Sequence, residues 1–556
     1  MPGEPGPRQN KARPHKANNR EIRGKILRST VVNGQFAPVI PCKGQHVPVE
    51  MLSLFQRQHL SRDRMDRTGK CASWGLASLI TILSFSIISL ALACSMQAFA
   101  QDTGNASAPQ SVEPPASAES SDASQSAPSQ GKDVPFQPKS GWYNPALSAK
   151  LSTMNIKNWG ILALNFGDVL LGNAGGIRSK LADHGIAGLI ILSGTGWQNL
   201  LSEPAQTDGM QAYIGQKFTN LETVAVIGSY DLGHIGLKGA QIGLDAAGGQ
   251  TSDTNISARG FRVNDLSLYY PLFNRKIELA AGYLPNDVHF VDTYVAGNIQ
   301  AGSFGPTASL PVQAGLSLNT DDAPGIDVKA HLTKDWYDTI GVQRSLYPQA
   351  KGGVTDWTVI NPHGVVFSEP FAKALVIDEL GFYRPASTDS LSTFVRGGGL
   401  YNWSDYTNFD TGKFSPNWMV YLLGDQQLTR ASPTMPFRGL YGGFSVMNSP
   451  ADVDVFRLYE ELRLYDIGIF SGRPFDLASF VVTHSSFSQD ARQATISGGG
   501  FPPPTDTTSI TGEYAFKVAH GSYIIPVLGY TAHPSFTTAP KEGNDLNFTL
   551  TLSIFM

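Results

Sequence analysis

Charge, cysteine and long apolar runs are all scarce in this chain of 556 residues. Asp, Glu, Lys and Arg make up only 16% of it, against roughly a quarter in soluble proteins. The three cysteines, Cys42, Cys71 and Cys94, fall in the first hundred residues. The rest therefore holds no thiol, which excludes a disulfide framework or a cysteine-ligated metal there. A single apolar run approaches the length of a membrane helix, and the mean hydropathy of -0.12 is not that of a helical membrane protein. Catalytic signatures are thin as well. The 11 histidines lack metal-ligand spacing, SGGGFPPP reads as a loop, and no Gly-x-Ser-x-Gly turn occurs. Neither an enzyme nor a cofactor is expected.

What is abundant points to strands and turns: Gly 57, Phe 29, Tyr 19 and Trp 8. Charge is split along the chain. Residues 1–100 carry 14 Lys/Arg against 5 Asp/Glu, leaving an acidic remainder. An acidic body argues against nucleic acid as a partner, since phosphate binding needs a basic surface.

The apolar run, CASWGLASLITILSFSIISLALAC, follows Arg67 and Lys70 and is followed by SMQAFA and QDTG. A positive start, an apolar core and Ala98-Phe99-Ala100 are the parts of a secretory signal peptide over 65–100, cleaved between Ala100 and Gln101. An uncleaved anchor helix is the alternative. Residues 1–64 form a basic extension that reads as lying upstream of the true start, at Met65 or Met51. Residues 101–139 are rich in Ser, Ala and Pro and too poor in apolar groups to offset their ordering entropy, so a disordered linker is expected.

From 140 to 556 the texture changes to short alternating runs such as YIGQKFTN, KIELAAGYL and WMVYLLGD, broken by Gly, Asn, Asp and Pro. The region is too long for one sandwich and lacks the repeat of a propeller. Its end, NDLNFTLTLSIFM, keeps alternating to Met556. Leu546, Phe548, Leu550, Leu552, Ile554 and Met556 share one face; Asn547, Thr549, Thr551 and Ser553 share the other. An apolar face that meets lipid, a polar face that meets a lumen and two satisfied edges together describe the closing strand of an all-β transmembrane antiparallel barrel. Sixteen strands would use about 26 residues each with their turns, and fourteen or eighteen fit as well.

Four stretches carry a family resemblance: LLGNAGGIRSKLADHGI (Leu170 to Ile186), IDELGFY (Ile377 to Tyr383), LRLYDIGIFSGRPFDLASF (Leu462 to Phe480) and GEYAFKVAHGSYIIPVLGYTAHP (Gly512 to Pro534). In this order they resemble the carbohydrate-selective porins of the OprB family, over Trp142 to Met556. The resemblance implies a sixteen-stranded barrel in the outer membrane of a Gram-negative bacterium. It also implies passive passage of monosaccharides such as glucose through an arginine-rich constriction. The partners implied are small carbohydrates, outer-membrane lipid and lipopolysaccharide, and the outer-membrane assembly machinery. Alternatives are a porin for another small solute, or a barrel acting as an adhesin or enzyme.

A sugar pore needs donors, acceptors and aromatic faces that release solute quickly. In VFRLYEELRLYD, Arg457, Tyr459, Glu461, Arg463 and Tyr465 are two apart and are expected in the lumen, with Phe456, Leu458, Leu462 and Leu464 toward lipid. Glu460 breaks this pattern, which implies a membrane-interface position or a bulge. The ladder is either the constriction or a wall whose charges pair with neighbours. Glu379 and Lys517 alternate with apolar residues and are also expected in the lumen. Arg178 lies where Ile177 and Leu181 suggest a short helix, either reaching the pore or serving as a structural cation. Arg473 is expected to bridge to Asp476 in a turn, and Arg259 and Arg262 have no assigned role.

Overall fold

A computed structural model describes residues 30–32, 35–37, 145–159, 165–201, 211–252, 260–295, 310–349, 359–536 and 543–556. The expected signal segment, the linker, most of the basic extension and Arg259 lie outside these residues. Within the first hundred, Thr30–Val32 pairs antiparallel with Gln35–Ala37.

Sixteen antiparallel strands close into one barrel. They are β1 (Ile186–Asn199), β2 (Thr219–Asp231), β3 (Gln241–Thr251), β4 (Gly260–Leu272), β5 (Ile277–Leu284) and β6 (Ala323–His331), followed by β7 (Trp336–Arg344), β8 (Ala374–Arg384), β9 (Thr393–Thr407), β10 (Phe414–Gln427) and β11 (Gly439–Asn448). The circuit ends with β12 (Phe456–Ile467), β13 (Leu477–Phe487), β14 (Asp506–Ala519), β15 (Ser522–Ala532) and β16 (Asp545–Phe555). Each strand pairs with its sequence neighbours, and β16 returns to β1 through Thr551↔Thr195 and Ser553↔Ser193. Closure leaves no edge unpaired, as a bilayer demands. The faces of β16 fall as its alternation predicts: Phe548, Leu550 and Leu552 are 40%, 39% and 49% exposed, whereas Asn547 and Thr549 are 0% exposed.

The two ends of the barrel differ. At one end the connections are tight, as at 520–521 between β14 and β15; at the other, 285–322 and 345–373 are long. The described parts of the first of these, 285–295 and 310–322, do not stay outside. Their helices α3 (Asn286–Phe290) and α4 (Leu310–Gln313) are largely buried. Gln313 Oε1 accepts from the backbone N–H of Val455 (2.9 Å) and of Phe456 (3.0 Å), and Asn402 Nδ2 donates to the Ala314 carbonyl (2.7 Å). Phe290, Val291, Leu310, Ala314 and Leu316 pack there with Leu375, Ile377, Leu400, Met419 and Met447 from the inward faces of β8–β11. That part of the wall is thus apolar on both sides, outside for lipid and inside for the infolded segment.

The opposite wall holds a second insert. Helix α1 (Pro145–Ser152) and the chain after it pack Leu151, Met154, Ile156, Trp159 and Phe166 against Ala187, Leu189 and Ile227 of β1 and β2. The Met154 carbonyl accepts from Gln241 Nε2 (3.0 Å) and from Ser229 Oγ (2.5 Å), tying the insert to the barrel. Helix α2 (Ile177–Asp183) forms as the spacing suggests, but Ile177 and Leu181 are exposed and only Ala182 is buried.

Candidate functional site

Strand β12 shows how the lumen is built. Tyr459, Glu461, Arg463 and Tyr465 point inward and are buried, while Leu462, Leu464 and Glu460 are exposed on the outer face. Arg457 departs from the expected ladder. It is exposed, and Phe456, expected toward lipid, is 0% exposed inside. The cause is a break in register with β13 between Phe456 and Leu458, where one extra residue exchanges the faces. The bulge that Glu460 hinted at thus lies nearer the start of the strand, and it removes Arg457 from the lumen.

Arg463 is held from all sides. Its Nε and Nη2 donate to the two oxygens of Asp425 (2.8 and 2.7 Å), Nη1 donates to Glu461 Oε1 (2.6 Å) and Ser445 Oγ (2.7 Å), and Nη2 also donates to the Gly424 carbonyl (3.0 Å). These contacts use all five N–H donors of a guanidinium. The Tyr459 hydroxyl donates to Glu461 Oε2 (2.6 Å), and Tyr465 donates to Asp425 Oδ1 (3.2 Å) while its ring stacks on Tyr441 at 4.9 Å. Tyr294, from the infolded segment, stands 6.3 Å from the Tyr465 ring. The charges of this group are compensated in place by one another.

Glu379 on β8 forms a second node. It accepts from Tyr337 (2.8 Å, Oε1) and Tyr421 (2.9 Å, Oε2), with Arg396 Nε 3.9 Å away. Arg396 lies over Phe394, and Lys329 over Tyr337 at 4.6 Å. Glycines make room for these long side chains. A Cβ at Gly443, opposite Arg463, would collide with that guanidinium and with Asp425. One at Gly398, opposite Glu379, would meet the Tyr421 hydroxyl at 2.7 Å. Sequence reasoning missed Asp425, Arg396, Tyr337, Tyr421 and Lys329; an inward glycine beside a long polar residue was the available signal.

Lys517 and Arg178 belong elsewhere. Lys517, near the tight end, pairs with Asp168 of the N-terminal insert, which also meets His520 Nδ1 (3.0 Å) and the Tyr523 hydroxyl (3.4 Å). Burial pushes the Asp168 carboxyl up, but the Lys517 and His520 contacts outweigh it and hold it below 3.8. Arg178 donates to the carbonyls of Gly172 (2.9 Å), Gly188 (3.1 Å) and Phe166, joining α2 to β1 as a structural cation. Arg473 bridges to Asp476, and Arg262 to Asp321 at 3.0 Å. Among the described residues, no cluster of His, Cys, Asp or Glu is arranged to hold a metal.

From β13 through β16 to β2 the inward face is different in kind. Thr483, Ser485, Ser509, Thr511, Thr531, Asn547, Thr549, Thr551, Ser193 and Thr195 line it, and much of its polarity is hydroxyl.

A closed barrel with an apolar outer belt, two internal inserts and a polar lumen defines a transmembrane β-barrel of the porin type. The model of the carbohydrate-selective porin family, OprB, matches residues 214–554, and the chain belongs to that family. Among solved structures, the high-pH structure of Pseudomonas putida OprB is similar, with a TM-score of 0.59 at 17% identity, covering 70% of this chain and 98% of that one. The low-pH structure of the same protein gives 0.43 at 16% identity, covering 72% and 99%. A mutant of Rh. blastica porin gives 0.37 at 7%, covering 67% and 100%. No curated protein matches the sequence.

Proposed function

We propose that this chain is a passive channel for small neutral carbohydrates, monosaccharides such as glucose, across the outer membrane of a Gram-negative bacterium. Lumen chemistry carries this reading. The strongest inward charges of β8–β12 are satisfied within the wall, as Arg463 is by Asp425 and Glu461, while the facing wall is built largely of uncharged hydroxyls and amides. Such a lumen replaces the hydration of sugar hydroxyls without gripping an ion strongly. Segment 65–100 would direct export and be cleaved off, 101–139 would be a disordered tract preceding the barrel, and the long-connection end would face outward toward lipopolysaccharide. Assembly machinery would insert the barrel.

Liposome swelling with glucose, a disaccharide and an amino acid tests the reading. Rapid glucose entry with slower entry of the other two is expected. Liposomes that swell no faster with glucose than protein-free ones would overturn it.

A further inference from the structure

Where the infolded segment returns to the wall, two adjacent acids stand just before β6. Asp321 and Asp322 are both 0% exposed. Asp321 has a cation: its Oδ1 accepts from Arg262 Nη2 of β4 at 3.0 Å. Arg344, at the end of β7, clamps the same point from another side. Its Nη2 donates to the Asp322 carbonyl (3.4 Å), its Nη1 donates to the Val366 carbonyl (3.1 Å), and it pairs with Glu369. Both long connections are thus tied to one guanidinium.

The Asp322 carboxyl is left out of this clamp. Neither of its oxygens has a hydrogen-bond partner among the described residues, and the spare donors of Arg262 and Arg344 do not reach it. Arg262 and Asp265 of β4 and Arg344 of β7 act on it through space. Asp321 precedes it, Glu369 stands behind Arg344, and Asp245 of β3 lies directly opposite Asp265. His289 of α3, paired with Asp327 of β6, acts on Asp265 in turn. Asp245, Asp265, Asp321, Asp322 and Glu369 therefore share two guanidiniums. A buried carboxylate with neither a cation nor a donor is far costlier than the neutral acid, so Asp322 is where a proton is kept.

We infer that Asp322 is a proton-operated hinge: as a neutral acid it lets the returning segment seat on the wall at β6 and β7, and loss of that proton releases residues 310–322 and widens the channel. The proton need not leave the closed site. It leaves when the segment opens, and the balance is set by the two end states. Burial pushes the Asp322 carboxyl up to about 8, with Asp265 adding to the effect and Arg262 and Arg344 opposing it. A released segment has the ordinary carboxyl value of 3.8, so the infolded form binds the proton more tightly between the two values. Its stabilisation is complete below 3.8, is lost progressively as pH rises, and levels off above about 8.

The test is hydrogen exchange of the full barrel at pH 5.5 and pH 8.5, corrected for the intrinsic pH dependence of exchange, together with single-channel conductance in planar bilayers. Protection over residues 310–322 should fall about tenfold between the two, while β16 keeps its protection and conductance rises. Asp322→Asn is neutral at both and of nearly the same shape, and should keep the pH 5.5 protection and conductance throughout. The Asp168 carboxylate titrates below 3.8 and stays ionised across this window. Wild-type protection and conductance that are equal at the two pH values overturn the hinge, whether or not the variant folds. A folded Asp322→Asn barrel that retains the wild-type pH dependence overturns it as well, and assigns the response to another group such as His289. A segment that loosens with no change in conductance overturns it as a gate. Exchange reads the segment whatever solute the barrel carries, so the hinge stands or falls separately from the sugar-channel reading.

Discussion

The two walls of the lumen solve the same problem with different chemistry. On β6–β12, charges and aromatic hydroxyls are knotted into nodes such as Arg463 with Asp425 and Glu461, or Glu379 with Tyr337 and Tyr421. On β13–β2, small hydroxyls bond singly across strands, as Ser193 does with Ser553 and Thr195 with Thr551, each at 3.0 Å. The difference follows the insert between β5 and β6. Where residues 285–295 and 310–322 pack inside the barrel, the wall becomes a buried core, and its polar groups need dense internal pairing to offset desolvation. On the other wall the buried polar side chains are mostly small and uncharged, so single hydrogen bonds satisfy them and no such node is needed.

The comparison breaks most visibly at Arg463. Replacing it by Ala leaves the buried carboxylates of Asp425 and Glu461 without their cation, and breaking a buried pair in this way costs about 3–5 kcal/mol. Thr549→Val on the other wall should cost about 1 kcal/mol or less. Thermal unfolding of the purified barrel, followed by circular dichroism or heat-modifiable mobility, reads both. Equal melting of the two variants would show that the charged node is no strut.

A smaller effect is expected where the N-terminal insert is clasped to the tight end. Asp168 has a folded-state value held below its ordinary 3.8 by Lys517 and His520 despite burial. The unfolded chain therefore binds the proton more readily. The clasp's contribution is complete above that ordinary value and is lost as pH falls through the depressed one. Hydrogen exchange over residues 145–170 should accelerate in acid below about pH 4, while exchange in β16 changes little. Asp168→Asn should reproduce the loosening at neutral pH, at about 1 kcal/mol after allowance for partial solvent screening. An insert equally protected at pH 3 and pH 7 would remove Asp168 as the clasp.

How much of this was legible depended on the side from which each residue is covered. In β16 polar groups meet the interior on one side and lipid lies on the other, so the alternation of Leu546–Met556 with Asn547–Ser553 read directly as two faces. In β8–β11 the inward residues Leu375, Ile377, Leu400 and Met419 are apolar because a distant segment packs on them, and no local pattern announces that segment. Glu379 and Lys517 fell on the inward side by period alone. Their partners came from other strands and from the N-terminal insert, so their roles did not follow from position. Arg457 was misplaced for a further reason: a bulge adds one residue to a strand without a fixed residue signature, and every side chain beyond it changes face.

The smallest effect sharpens the comparison at the barrel's seam, where β16 meets β1. Thr195 and Thr551 stand directly opposite one another with their hydroxyls 3.0 Å apart. The backbone ladder around them already closes the barrel, and the cross-strand pair adds to it. A double-mutant cycle of Thr195→Val and Thr551→Val should return about 0.2–1 kcal/mol of coupling, the range for such pairs. The equivalent cycle of Tyr421→Phe and Glu379→Gln on the opposite wall should return more, because that hydrogen bond is buried and charge-assisted. The order of the two couplings matters more than either value. A seam coupling equal to or larger than that of Tyr421 with Glu379 would mean that the hydroxyl wall is as tightly knotted as the charged one, and that the insert between β5 and β6 does not set the difference between them.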